Sequence, residues 1–270
     1  MNINEKNMNM EINVLISCMH EIDTSIIQRS NIQTDVVVVN QCDKNCIDEW
    51  DFINKQGQKC HAKFINTTER GLSRSRNMAI ANSWGDICLI CDDDEELSDN
   101  YNQLILDGYK KFPDAGVLIF AIEDSHHVFP TEAKKMDFIS ILRSNSQQIT
   151  FVRNVINSKN IFFDEKMGSG TGNGGGEEIR FMLDCRKKKL KMFYHPNCIA
   201  TILPSKSQWF HGYTDSYFVN LGWTARRLFG TAISPLYLVY FMISHRTNIK
   251  KDNTLLNALR KSFKGWGEKR

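Results

Sequence analysis

Four short apolar runs constrain the fold of this chain more than any other feature. They are INVLISC at 12–18, DVVVV at 35–39, ICLIC at 87–91 and GVLIFAI at 116–122, and polar or turn residues follow each one. Runs this short and this continuous fit parallel strands buried on both faces. Helix-compatible segments at 22–31, 71–84 and 99–112 lie between them. Alternation of strand and helix predicts a doubly wound α/β sheet. Ligands bind such sheets at the carboxyl ends of the strands. The residues to inspect are therefore Met19 and His20, residues 40–43, and Asp92, Asp93 and Asp94.

The second half is less regular. GSGTGNGGG at 168–176 is too rich in glycine for a regular element, because ordered glycine loses the most backbone entropy. It predicts a mobile loop leading into a helix that starts near Glu177. Over 177–190 the apolar residues Ile179, Met182, Leu183 and Leu190 fall near helical spacing, with acids first and bases last, as the helix dipole favours. No internal repeat and no linker is evident before about residue 222.

With 270 residues, 41% of them hydrophobic and 24% charged, the chain can bury one α/β domain with an appendage or two small domains. Charge is uneven. Residues 223–270 hold ten Lys/Arg and two Asp/Glu, a net of +8, so the first 222 residues carry −5 of the overall +3. A mildly acidic body suits a metal or polar ligand, and a basic tail suits an anionic surface. No nucleic-acid motif accompanies the tail, so nucleic acid is not an expected partner. Cys88 and Cys91 form a C-x-x-C, but they flank Leu89 and Ile90 inside a strand, and no second Cys/His pair follows at zinc spacing. The polar opening lacks the features of a signal peptide, which makes a reducing, cytoplasmic setting the expectation.

Three clusters carry chemistry. Asp92, Asp93 and Asp94 directly follow the ICLIC strand. Adjacent carboxylates there repel unless a cation or hydrogen-bond donors compensate them, and oxygen ligands suit Mg²⁺ or Mn²⁺. A solvated acidic turn is the plainer reading of the same residues. Arg74 and Arg76 sit near the start of the helix over 71–84, placed to meet a phosphate or a carboxylate, or else to form a surface pair. Glu177 and Glu178 follow the glycine loop, where a carboxylate can serve as a general base or simply as helix N-terminal charge.

In combination these residues resemble glycosyltransferase family 2, inverting enzymes of GT-A fold, and especially those of bacterial capsule and exopolysaccharide pathways. The resemblance rests on VLIS at 14–17, GLSRSRNMAIANSWGDICLICDDD at 71–94, GGGEE at 174–178 and SQWFHGYTDSYFVNLG at 207–222, and covers most of 12–222. It implies an α/β fold with a Rossmann-like, mostly parallel sheet flanked by helices and a C-terminal helical extension. The implied division is a nucleotide-sugar transferase domain at 1–222 and a basic amphipathic helical tail at 223–270.

The resemblance also implies roles. Asp92 and Asp94 would hold Mn²⁺ or Mg²⁺ and the ribose–diphosphate, with Asp94 the direct ligand and Asp93 nearby. Arg76 would lie near the donor pyrophosphate. Ser17, Met19, Asn40 and Gln41 match positions that contact the nucleotide base. Relatives usually carry acids after the second strand, where this chain has Asn-Gln-Cys-Asp at 40–43, so the base stays open, with UDP favoured by resemblance alone. The catalytic base of the family is the Asp of a Glu-Asp pair; here Glu178 takes its place, with Glu177 as the alternative. His211 would complete the metal shell or contact the acceptor.

The tail contains LFGTAISPLYLVYFMI, interrupted by Pro235 and flanked by Arg226 and Arg227 on one side and by Arg246, Lys250 and Lys251 on the other. Such a segment fits a helix lying in a membrane interface, suited to a lipid-linked glycan acceptor at the inner face of the cell membrane. The alternative is a helical hairpin packed on the domain or on a second subunit in a homodimer. Two further functional readings stay open: a degenerate homologue that binds a sugar nucleotide without turnover, and a nucleotidyltransferase. Residues 18–24 lack the glycine-rich phosphate loop that the latter normally shows.

Overall fold

The structure, a computed structural model, describes residues 10–123, 129–143, 149–203 and 212–270. The strands are β1 (Ile12–Met19), β2 (Asp35–Gln41), β3 (Cys46–Ile53), β4 (Lys59–Thr67), β5 (Ile87–Asp92), β6 (Glu95–Leu97), β7 (Val117–Glu123), β8 (Lys134–Lys135), β9 (Ile149–Val152) and β10 (Met192–Ile202). The helices are α1 (Ile26–Arg29), α2 (Leu72–Ala81), α3 (Tyr101–Lys111), α4 (Phe138–Arg143), α5 (Arg153–Ser158), α6 (Glu177–Lys187), α7 (Asp215–Ser244), α8 (Arg246–Asp252) and α9 (Leu255–Gly267).

All four apolar runs form strands. They belong to one sheet of order β3-β4-β2-β1-β5-β9-β7-β10-β6, with β8 against β10. Side chains alternate across it as the two-residue period requires. Val14, Ile16, Val36, Val38, Leu89 and Cys91 enter the core on one face; Leu15, Val37, Val39, Cys88 and Ile90 enter the core on the other. Cys88 and Cys91 thus face opposite sides and cannot share a metal ion.

The sheet is more mixed than the sequence predicts. β4, β2, β1 and β5 are mutually parallel, as are β7 and β10. β9 runs antiparallel between β5 and β7, and the edge strand β3 pairs antiparallel with β4. β3 and β4 form a hairpin in which Asn54 Oδ1 accepts from the amides of Gln56 and Gln58 in the turn. β3 carries Asp48, Glu49 and Asp51 on an exposed edge, so it lacks the continuous apolar signature.

α7 is one element in name only. Gly230, at φ 71° and ψ −174°, divides it into arms 215–229 and 231–244. The rings of Tyr217 and Phe241 lie 6.3 Å apart, whereas a straight helix would separate those residues by about 36 Å. The arms therefore fold back as a hairpin. The first arm begins at Asp215, capped by Thr214 Oγ1, which accepts from the Tyr217 amide; position 222 lies within this arm. Phe218, Phe241, Met242, Ile249 and Ala258 form a small core that joins both arms to α8 and α9. α9 crosses the first arm at glycines. A Cβ on Gly222 would overlap the Ser262 carbonyl oxygen, and one on Gly265 would overlap that of Val219.

Candidate active site

Adjacent parallel strands bring several of the expected residues to one edge. Ser17 is in register with Val39 on β2 and with Asp92 on β5, and Met19 with Gln41. Ser17 Oγ is buried without a hydrogen-bond partner, and Met19 is 47% exposed. Side-chain atoms of the other two strand-end residues also brace the fold. Asn40 donates to Glu21 O and Asn66 Oδ1 and accepts from the Glu21 amide, closing the turn after β1 onto β2 and β4. Gln41 Oε1 accepts from the Gly71 amide at 2.7 Å and anchors the start of α2.

Arg76, on the buried face of α2, links the two acidic clusters. Its side chain is 1% exposed. Nη2 donates to Asp92 Oδ1 at 2.8 Å and Nη1 to Glu178 Oε1 at 2.7 Å, with Glu177 Oε1 3.6 Å from Nη1. The Phe163 ring lies 5.3 Å from the guanidinium. Burial works against the Arg76 charge, but Asp92, Glu178 and Glu177 outweigh it and hold the guanidinium firmly protonated. The sequence places Arg76 beside a pyrophosphate; the structure encloses it among carboxylates, because a charge removed this far from water needs opposite charges at contact. Arg74 points elsewhere. It lies on the outer face of α2, pairs with Glu165 and Glu69 at 3.3 and 3.5 Å, and lines an open surface cavity of about 670 Å³ with Asn77 and Phe162.

Burial raises several of the carboxyl groups. Burial pushes Asp92 up, opposed by Arg76. Burial, then Asp92 and Asp94, push Asp93 up to about 6. Glu95 is buried, accepts from the Asp92 amide at 3.2 Å and is pushed well up by burial and by Asp92. The sequence shows it only as part of the DDDEE run. Burial and Glu178 push Glu177 up to about 8 against the pull of Arg76, and its Oε2 is buried without a partner. Of the neighbouring pair, Glu177 is the carboxyl that burial favours in its neutral form, and Glu178 makes the direct ion pair with Arg76.

The glycine-rich loop is held rather than mobile. Gly168 (φ 91°) lies against Glu177, where a Cβ would come 3.0 Å from its carboxyl carbon. Leu72 N donates to Ser169 O, and Ser73 Oγ to Met167 O, so the loop rests on the start of α2. The hairpin holds the loop from the other side. Arg227 pairs with Asp164 through two nitrogens, one of them at 2.7 Å. Arg270 donates to Asn173 Oδ1 and Asn220 Oδ1, and Lys166 donates to Arg270 O. A Cβ on Gly174 would overlap Thr224 Oγ1.

The donor set fits a divalent cation held in part by a ligand. Among the described residues, no three or more His, Cys, Asp or Glu side chains are grouped to hold an ion alone. Asp92 and Asp94 offer hard oxygen donors in a crowded acidic run where burial, and after it like charge, raises Asp92 and Asp93. Mg²⁺ and Mn²⁺ accept one or two carboxylates and complete their shells with phosphates and water. His211 lies outside the described residues.

Solved structures share this architecture. Residues 1–349 of S. aureus TarS, in complex with UDP-GlcNAc, match with a TM-score of 0.62 at 15% identity, covering 95% of this chain and 81% of that one. The mannosyltransferase PcManGT from Pyrobaculum calidifontis, in complex with GDP-Man and Mn²⁺, matches with a TM-score of 0.53 at 12% identity, covering 97% and 88%. At these identities the likeness is one of fold, the GT-A arrangement of a central sheet flanked by helices, here with a helical C-terminal region. No curated protein matches the chain in sequence. The profile of glycosyl transferase family 2 matches residues 18–172, more than half of the sequence, and the chain belongs to that family.

Proposed function

We propose that the protein is an inverting, metal-dependent glycosyltransferase that moves a sugar from a UDP-sugar to a glycan or lipid-linked glycan in the assembly of a surface polysaccharide. The observation that carries this reading is the Arg76 bridge. It joins the acidic strand end at Asp92, where a donor diphosphate would lie, to Glu178, where an acceptor hydroxyl would lose its proton. Ser17, with its unpartnered hydroxyl, and exposed Met19 face the same edge as candidate nucleoside contacts. UDP is supported by the TarS complex with UDP-GlcNAc, while the GDP-Man complex of PcManGT makes GDP the competitor to test.

The chemistry follows from the placement of the two acidic clusters. Glu178 accepts the proton of the acceptor hydroxyl. The freed oxygen pair attacks the anomeric carbon, and the bond from that carbon to the diphosphate oxygen breaks, its electrons leaving with the nucleoside diphosphate. Arg76 keeps Glu178 oriented and contributes positive charge behind the site. Asp92 and Asp94 would hold Mn²⁺ or Mg²⁺, which when bound supplies charge compensation for the leaving diphosphate.

The test is calorimetric titration of UDP, GDP and their sugar conjugates, with Mn²⁺ and with chelator, followed by turnover assays. Metal-dependent binding selective for one nucleotide is expected. Asp94→Ala removes it, and Glu178→Gln keeps it while abolishing transfer and donor hydrolysis. No nucleotide binding by a folded sample refutes the transferase reading. Binding by the parent chain without transfer or hydrolysis makes it a sugar-nucleotide-binding homologue.

A further inference from the structure

We propose that the second arm of α7, with α8 and α9, is a docking surface for an anionic lipid bilayer, on which the protein lies without crossing it. The most apolar 18 residues of α7 have a mean hydropathy of 1.2, yet only 22% of them are buried. A helix this apolar in the interior of a water-soluble domain would be covered. Ile233, Leu236, Tyr240 and Ile243 recur at three- and four-residue spacing and are 55, 73, 63 and 62% exposed, with Val239 beside them. The opposite face of the same arm, Ser234, Leu238, Phe241 and Met242, is buried against the rest of the hairpin. The arm is thus apolar on both sides and covered on one.

Geometry excludes a span by this arm. The chain reverses at Gly230, and the 231–244 arm is about 21 Å long against a hydrocarbon core of about 30 Å. A helix of this length can lie in the interface with its outer stripe among the acyl chains.

Charge selects the occupant. Exposed Arg246, Lys250 and Lys251 follow the apolar stripe directly. On α9, exposed Leu256 and Phe263 alternate with exposed Arg260 and Lys264 along one face. The acids of the region are engaged: Asp215 with Lys261, Glu268 with Arg270, and Asp252 with the Tyr213 amide. A two-fold dimer through this surface would bring the same bases toward their own copies. Anionic headgroups compensate them instead. The inference does not rest on the transferase reading, since failure to bind lipid would leave donor binding and transfer to a soluble acceptor intact.

The experiment is co-sedimentation of the full chain with vesicles of phosphatidylcholine alone and of phosphatidylcholine with 30% phosphatidylglycerol, at low and high salt, with light scattering of the free protein. Binding to the anionic vesicles, weakened about tenfold or more by salt or by the pair Lys250→Glu and Lys251→Glu, is expected. The pair Leu236→Asp and Ile243→Asp, both exposed and so compatible with an unchanged melting temperature, should abolish binding. Equal binding to neutral and anionic vesicles overturns the proposal, as does no binding to either by a folded sample. So does a stable dimer that Leu236→Asp dissociates, which would make a second copy the occupant.

Discussion

Glu177→Gln is the perturbation that most directly tests the division of labour between the two glutamates. In the folded protein the Glu177 carboxyl is pushed up to about 8, from 4.5 in an unfolded chain, by burial and by Glu178. The folded state therefore holds this proton more tightly than the unfolded state. Its stabilising effect is complete below about pH 4.5 and is lost as pH rises toward 8. At about 1.4 kcal/mol per pH unit, the loss between pH 5 and pH 8 comes to about 3 kcal/mol. Glutamine has the shape of the neutral acid and does not titrate, so the variant escapes this loss. Urea unfolding of parent and variant at pH 5, 6, 7 and 8 measures it. The stability difference should shift in favour of the variant by about 3 kcal/mol across that range, and the variant should still transfer sugar. A difference that does not change with pH refutes the assignment of Glu177 as the neutral acid; loss of transfer in Glu177→Gln alongside normal transfer in Glu178→Gln reverses the two roles.

Other substitutions probe the frame around the site. Arg76→Met leaves Asp92, Glu178 and Glu177 without their shared cation, and thermal or chemical unfolding near pH 7 should show a loss of about 3–5 kcal/mol, recovered in part at acidic pH as the carboxylates protonate. Gly222→Ala forces a methyl group into the Ser262 carbonyl, and should cost about 1–3 kcal/mol in an unfolding assay and open α9 to limited proteolysis. Arg227→Ala removes the paired contact to Asp164 and should lower kcat more than it changes donor affinity, as steady-state kinetics beside calorimetry would report.

The sequence makes β1, β2, β5 and β7 legible because each is apolar on both faces. It hides β4, where Lys59, His61 and Lys63 interrupt the apolar positions, and β3, whose outer side is water. The helix predicted over 22–31 contracts to the four residues of α1, since Asp23 Oδ1 accepts from the Ser25 amide and holds a turn before it. Asp92, Arg76 and Glu178 stand out as residue types at strand and helix ends, but nothing local announces that one arginine binds both acids. Glu178 lies 102 positions from Arg76, and only the folded sheet brings them together. Asn40 and Gln41 show how a strand-end residue can also serve the fold. Their position marks them as ligand contacts, and in the fold Asn40 bonds Glu21 and Asn66 while Gln41 Oε1 accepts from the Gly71 amide.

The fastening of the glycine-rich segment by the hairpin has a consequence for how transfer is driven. Nine residues, six of them glycine, carry conformational freedom worth on the order of 10 kcal/mol. A loop left free would have to surrender that freedom each time an acceptor arrived, at the expense of affinity or rate. Here Arg270 bonds Asn173, Thr224 Oγ1 bonds Gly175 O, and Arg227 pairs with Asp164 just before the loop, as the chain folds. On the proposed mechanism the acceptor would meet a base whose surroundings are already set, with the rigidity of the site inherited from helices that hold none of the proposed reacting groups.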